Sequence, residues 1–179
     1  MVNAIYFWEL PQKTKREISD FAVKFVINYV REAFNALDPK FDYSEKGKPF
    51  FKDYPNFHFN ISHSAGYLAV AVSKLPVGVD VEEIRAVNPD ISRSFFTEDE
   101  RNYTKNSADL LYVWTRKEAL LKQSGEGISK NMSKIDALNN KAIKTYKTDK
   151  YILSVCSEYA EDFEIIYKEN FCGNLKTRD

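Results

Sequence analysis

The sequence predicts one α+β unit, and three observations carry that prediction. Apolar residues recur at helical spacing from Glu17 to Leu37. Three runs of strand character follow between Phe57 and Val81. A second helical segment, Ser107 to Gln123, is then succeeded by a sheet-like stretch from Met132 to Asp179. With 179 residues, 44% of them apolar and 15% aromatic, the chain can bury a sizeable interior in one domain or in two small halves sharing a core.

Val2 to Trp8 reads as a first strand, closed by Leu10-Pro11. In the long helix the apolar positions run Ile18, Phe21, Ala22, Phe25, Val26, Tyr29, Val30, Ala33, Phe34 and Leu37, and Asp38-Pro39 is the expected stop. Phe41 to Pro55 reads as a loop around a short extended piece. Strands are predicted at Phe57 to Ile61, Tyr67 to Ser73 and Val77 to Val81, with Lys74-Leu75-Pro76 as a hairpin turn between the last two. Helices are expected from Asn88 to Phe96, from Thr97 onward, and from Ser107 to Gln123, the last ended by Gly125 and Gly127. Tyr151 to Ser157 and Phe163 to Lys168 complete the sheet content.

Twenty-six basic residues balance 26 acidic ones, which removes any long-range electrostatic case for nucleic acid or an anionic membrane. No window approaches the roughly 20 apolar residues of a membrane span. The start MVNAIYFWEL lacks a basic leader and a cleavage site, so a cytoplasmic setting is expected. Two cysteines, Cys156 and Cys172, are too few for a disulfide framework or a cysteine zinc site; Cys156, within YILSVCS, reads as a buried thiol.

Seven acids lie between Gly78 and Glu100. Most fit a solvated loop, but Asp80 and Glu82 interrupt an apolar strand. Two residues apart, they face the same side and repel unless a cation or a hydrogen-bond donor lies between them. Oxygen ligands of that kind suit Mg²⁺, which completes its shell with water and phosphate oxygens. Trp114, Glu118 and Lys122 form one column on their helix, so Glu118 is a third candidate ligand and Lys122 a point charge for phosphate; a surface pair is the plainer alternative. Glu100 fits both a capping box with Thr97 and a catalytic carboxylate. Ser62-His63 makes a poor hydrolase pair, because adjacent strand residues diverge and the nucleophile-elbow glycines are absent. Phosphate contacts are the simpler role for both. His58 falls on the opposite face and reads as structural.

Gly47-Lys48-Pro49, FNISHS (59–64), VGVDVE (77–82), FFTEDE (95–100) and WTRKEALLKQSGEG (114–127) together resemble the 4′-phosphopantetheinyl transferases of the surfactin-synthetase-activating type, in order and in spacing. The resemblance spans about Arg16 to Cys156. It implies two pseudo-symmetric α+β halves, 1–76 and 77–179, with coenzyme A between them and the amino-terminal half shortened. It also implies transfer of the phosphopantetheine arm of coenzyme A to a serine of an apo acyl or peptidyl carrier protein, with release of adenosine 3′,5′-bisphosphate. Asp80, Glu82 and Glu118 would hold Mg²⁺, while Lys48, Ser62, His63 and Lys122 would contact coenzyme A phosphates. Glu118 or Glu100 would be the base, and Arg16 would lie near the nucleotide.

Family members usually carry further basic residues before the Gly-Lys-Pro motif; here 47 residues precede Lys48, and Lys13 and Lys15 are the candidate substitutes. Two halves in one chain predict a monomer. Ile84, Val87, Ile91 and Phe95 are candidates either for docking a carrier helix or for packing inside. The competing functional reading is a catalytically weak relative that binds coenzyme A or a carrier protein as an interaction module.

Overall fold

The computed structural model describes residues 3–10, 13–127 and 130–169. In chain order the elements are β1 (Ala4–Glu9), α1 (Lys15–Phe34), β2 (Phe41–Tyr43), β3 (Pro49–Phe51), β4 (His58–Ser64), β5 (Tyr67–Ser73) and β6 (Gly78–Glu83). They continue with α2 (Asp90–Phe95), α3 (Glu98–Tyr103), α4 (Ser107–Ser124), β7 (Ile143–Lys147), β8 (Tyr151–Cys156) and β9 (Glu164–Lys168), with 3-10 turns at Lys130–Lys134 and Ala160–Asp162. Val2, Pro11 and Cys172 lie outside the described residues.

Strands pair as β4-β5-β1-β9 in one sheet and β6-β8-β7 in another, with β2 and β3 as a separate hairpin. Alternation decides what each face of the first sheet meets. Trp8, Leu68, Val70 and Val72 face α1, whose buried stripe is Ile18, Ala22, Val26 and Val30. Ile5, Phe7, Ala69 and Ala71 face the second sheet and pack on Val77, Val79, Val81, Leu153 and Val155. Burying each of these valine and leucine side chains is worth about 1.5–3 kcal/mol. On the far side of the second sheet lies α4, where Ala119 packs with Ile143 and Cys156 and Thr115 Oγ1 meets Ser154 Oγ at 2.9 Å. The mixed α+β class is as expected, with α1 laid on the first sheet and α4 on the second.

Local signals placed most element ends. Thr14 and Glu17 form a capping box at the start of α1. The helix ends before Asp38-Pro39, because Asn35 adopts the left-handed conformation (φ 51°) and its N–H bonds to Arg31 O; asparagine tolerates that conformation better than most residues. The loop of 41–55 contains the β2–β3 hairpin, closed by Gly47 at φ 82°. Strand β4 runs on through Ser64, so Ser62 and His63 lie within the strand rather than at its end.

One expectation is corrected by non-local pairing. Strands β5 and β6 do not form a hairpin. The linker 74–77 carries the chain from the first sheet to the second, where β6 pairs with β8. Neither sheet alone can bury both faces, and passing between them stacks the Ile5, Phe7, Ala69 and Ala71 face of the first sheet on the valine-rich face of the second. Strand β9 then returns to the first sheet and pairs parallel with β1, Ala4 opposite Glu164. The stretch 77–179 therefore supplies an edge strand to the sheet of the stretch 1–76. Strand β7, in the polar sequence IKTYK, was not expected; it forms because β8 offers it a partner, Tyr146 opposite Leu153.

Candidate active site

The site begins where β4 meets β6. Strand β6 is an edge of its sheet, with N–H groups that no neighbouring strand satisfies. Side chains of β4 take that role. Asn60, Ser62 and Ser64 share one face by the period of two. Asn60 Oδ1 accepts from Val79 N at 2.9 Å, and Ser62 Oγ accepts from Val81 N at 3.3 Å. The same two serines orient the acids: Ser62 Oγ donates to Asp80 Oδ1 at 2.8 Å and Ser64 Oγ donates to Glu82 Oε2 at 2.7 Å. Ser62 is therefore tied to a carboxylate. Asn60 and Ser64 were missed in the sequence; the N-x-S-x-S alternation of β4 was the available signal.

Helix α4 supplies the opposite wall. Asn106 caps its start and Gly125, at φ 74°, ends it, which aligns Trp114, Glu118 and Lys122 along the cleft as their spacing predicts. Lys122 Nζ donates to Asp80 Oδ1 at 2.7 Å and to Ser62 Oγ at 3.0 Å. Together with Glu82, His63 and Ile61 these residues line one cleft of about 330 Å³, within the range of small-molecule sites.

The acids are under electrostatic load. Burial, then the Asp80 charge, pushes the Glu118 carboxyl up to about 7, against the opposing pull of Lys122. Burial also raises Glu82; the hydrogen bond from Ser64 opposes it, and the charge of Asp80 adds to the rise. Two carboxylate oxygens here, Asp80 Oδ2 and Glu118 Oε1, are buried without any hydrogen-bond partner. A native protein rarely leaves such atoms unpaired unless a ligand meets them. Among the described residues no three Asp, Glu, His or Cys side chains form a ready-made metal cage. A cation here would draw other ligands from substrate or water, as Mg²⁺ usually does. The Lys122 ammonium already neutralises one oxygen of Asp80, which shows that the pocket accommodates a positive charge.

His63 Nε2 lies 3.2 Å from Ser19 Oγ on α1. Burial, followed by the charges of Lys122 and Lys15, lowers the pKa of its imidazole below the ordinary 6.5. Of the expected substitutes, Lys15 thus acts on His63, whereas Lys13 pairs with Glu17 at 3.5 Å. His58 is partly buried and is depressed by burial and by Lys48. It does not line the cleft.

Three candidates stand apart from this cleft. Glu100 is fully buried, accepting from Thr97 N at 2.8 Å and Ala137 N at 2.9 Å and pairing with Lys117 Nζ at 2.8 Å. The capping alternative is the one seen, and both carboxylate oxygens are engaged away from the cleft. Lys48 turns its Nζ to the carbonyls of Gln123 (2.6 Å) and Val77 (3.3 Å) instead of into the cleft. The Arg16 side chain is 93% exposed and, among the described residues, pairs with Asp20 at 4.0 Å. Cys156 is buried as expected, and burial pushes its thiol up to about 11. Val87, Ile91 and Phe95 are half-buried against Phe96, Leu110 and Val113, and the Phe95 ring meets Trp114 edge-on at 5.8 Å.

Comparison with known proteins agrees with this geometry. The model of the 4′-phosphopantetheinyl transferase superfamily matches residues 76–170. The chain is 32% identical over 160 residues to the 4′-phosphopantetheinyl transferase psf-1 of Bacillus pumilus, covering 75% of this chain and 69% of that protein. It is 30% identical to the 4′-phosphopantetheinyl transferase ffp of Bacillus subtilis and 27% identical to the 4′-phosphopantetheinyl transferase Sfp of Bacillus subtilis strain 168, each over 85% of this chain and 79% of the relative. With the five sequence motifs in register and three of them meeting in one cleft, the chain belongs to the 4′-phosphopantetheinyl transferase superfamily, in its surfactin-synthetase-activating type.

Proposed function

We propose that this phosphopantetheinyl transferase moves the 4′-phosphopantetheine arm of coenzyme A to a serine of an apo acyl or peptidyl carrier protein, depends on Mg²⁺, and acts as a cytoplasmic monomer. One observation carries the reading. Asp80 Oδ2 and Glu118 Oε1 are buried and unpaired beside Lys122, an arrangement that calls for a cation and an anionic ligand together.

The carrier serine oxygen attacks the phosphorus that bears the pantetheine arm. A new P–O bond forms as the pyrophosphate linkage breaks, releasing adenosine 3′,5′-bisphosphate. Such displacements depend chiefly on positioning and charge neutralisation. Asp80 and Glu118 would hold Mg²⁺ through their unpaired oxygens, joined by Glu82 once its carboxylate leaves Ser64, and the ion would neutralise pyrophosphate charge and polarise the reacting phosphoryl group. Lys122, released from Asp80, is placed to stabilise charge on the leaving oxygen. Glu118 receives the serine proton; its support over Glu100 is positional, because Glu118 lines the cleft while Glu100 is sealed against Lys117. His63 and Ser19 offer hydrogen bonds to a non-reacting phosphate.

The test is transfer from coenzyme A to a panel of apo carrier proteins with Mg²⁺. A mass gain of one phosphopantetheine on a carrier serine, abolished by EDTA, is expected. Coenzyme A binding without modification of any carrier overturns the reading in favour of an interaction module, and turnover of coenzyme A without a carrier points to a phosphohydrolase.

A further inference from the structure

We propose that Lys48 is a positioning residue that sets the separation of strand β6 from helix α4, and does not contact the phosphates of coenzyme A. This inference rests on the function proposed above. The last four carbonyls of a helix have no donor within it. At the end of α4, Leu121 O is met by Gly125 N and Glu126 N at 2.8 and 3.1 Å, while Gln123 O is met by Lys48 Nζ at 2.6 Å. A cation there also opposes the negative end of the helix dipole.

The same ammonium donates to Val77 O at 3.3 Å, one residue before β6. Lys48 thus ties the helix end to the strand start. Both tied carbonyls adjoin the chemistry: Lys122 directly precedes Gln123, and Asp80 lies three residues beyond Val77. The crossing is tight. A Cβ at Gly78 would overlap Ala119 O and Gln123 N, and one at Gly125 would lie 3.4 Å from Lys48 Cδ. Lys48 itself is held by the turn beneath it, with Ser44 N bonded to Lys48 O at 2.8 Å and Lys48 N to Ser44 Oγ at 3.0 Å. Removing the tether frees β6 and α4 to shift, and the 2.7 Å contact between Lys122 and Asp80 shifts with them.

Full-length Lys48→Met and Lys48→Arg variants test this. Lys48→Met should lower kcat on the order of 10- to 100-fold, the scale of a small misplacement of reacting groups, with KM for coenzyme A within about twofold of wild type. It should also weaken Mn²⁺ binding and speed amide exchange in the last turn of α4. Lys48→Arg should restore most of the kcat, since a guanidinium has donors for both carbonyls. If Lys48→Met does not fold, Lys48→Gln, which keeps an N–H donor, takes its place. A rise in KM for coenzyme A with unchanged kcat overturns the inference in favour of a phosphate contact. A lowered Tm with kcat, KM and Mn²⁺ affinity all unchanged overturns it in favour of simple stabilisation. Should the wild-type protein modify no carrier, the functional reading fails by itself, and Mn²⁺ affinity with amide exchange still decides the role of Lys48.

Discussion

Lys122 Nζ and Asp80 Oδ1 lie 2.7 Å apart, although 42 residues separate them in the chain. The contact joins α4 to β6 and is shared by Ser62, which bonds to both. In the proposed cycle Lys122 leaves Asp80 for phosphate oxygen, and the freed carboxylate would hold Mg²⁺, which would supply charge neutralisation there. Asp80→Asn keeps the side-chain volume and its hydrogen bonding but removes the charge. Transfer should fall at least about 100-fold, a loss of ~2.7 kcal/mol in transition-state stabilisation, and excess Mg²⁺ should not restore it. A folded Asp80→Asn protein with wild-type kcat would rule out Asp80 as a metal ligand.

Glu118→Gln should cost about 100-fold or more in kcat, as removal of a general base does. Stability should respond in the opposite direction. Burial raises the folded pKa of Glu118 from 4.5 to about 7, so its favourable contribution is present below pH 4.5 and lost as pH rises through 7. In EDTA, without coenzyme A, wild type should therefore lose Tm across that window, and Glu118→Gln should lose less. Identical pH dependence of the two Tm values would contradict the assigned environment.

Glu100 and Lys117 form a fully buried pair, and removing one partner strands the other's charge. Lys117→Met should destabilise the fold by about 3–5 kcal/mol, whereas Lys117→Met with Glu100→Leu should recover much of that loss. Glu100→Gln should lower Tm and leave kcat within about threefold of wild type, because Glu100 is assigned no part in proton transfer. A 100-fold fall in kcat in the folded Gln variant would return the base role to Glu100. Denaturant unfolding beside steady-state transfer measures both.

His63 tests the phosphate side of the cleft. Its folded pKa lies below 6.5, through burial and the charges of Lys122 on α4 and Lys15 on α1. The neutral ring therefore contributes stability above pH 6.5 that is lost as pH falls through the folded value. A bound phosphate reverses the local field and raises that pKa, so coenzyme A binding near neutral pH should take up a proton. NMR titration of the His63 ring, with His58 as internal control, should show an upward shift on adding coenzyme A. No shift, or a His63→Ala variant that loses kcat at unchanged KM, argues against phosphate contact and for a chemical role.

Local patterns alone carried the α+β class, the long helix over Glu17 to Leu37, and the single-file arrangement of Trp114, Glu118 and Lys122. Each is a local property, since periodicity operates over a few residues. The sequence also placed Asp80 and Glu82 on one face of a strand. The tertiary structure decided which groups meet. Ser62 and Ser64 grip the two carboxylates because β6 is an edge strand laid against β4, and the sequence around either strand does not reveal that neighbour.

The fates of Glu100 and Lys48 were likewise set at long range. Thr97-Glu98-Asp99-Glu100 reads equally as a cap and as a reactive acid until Lys117 and Ala137 close over the carboxylate. Lys48 fits a phosphate ligand by motif, yet the end of α4 offers it an unpaired carbonyl 75 residues away in the chain. The hairpin expected at Lys74-Leu75-Pro76 failed for the same reason. Burial of two apolar sheet faces against each other outweighs the local turn preference, and only the assembled fold brings those faces together.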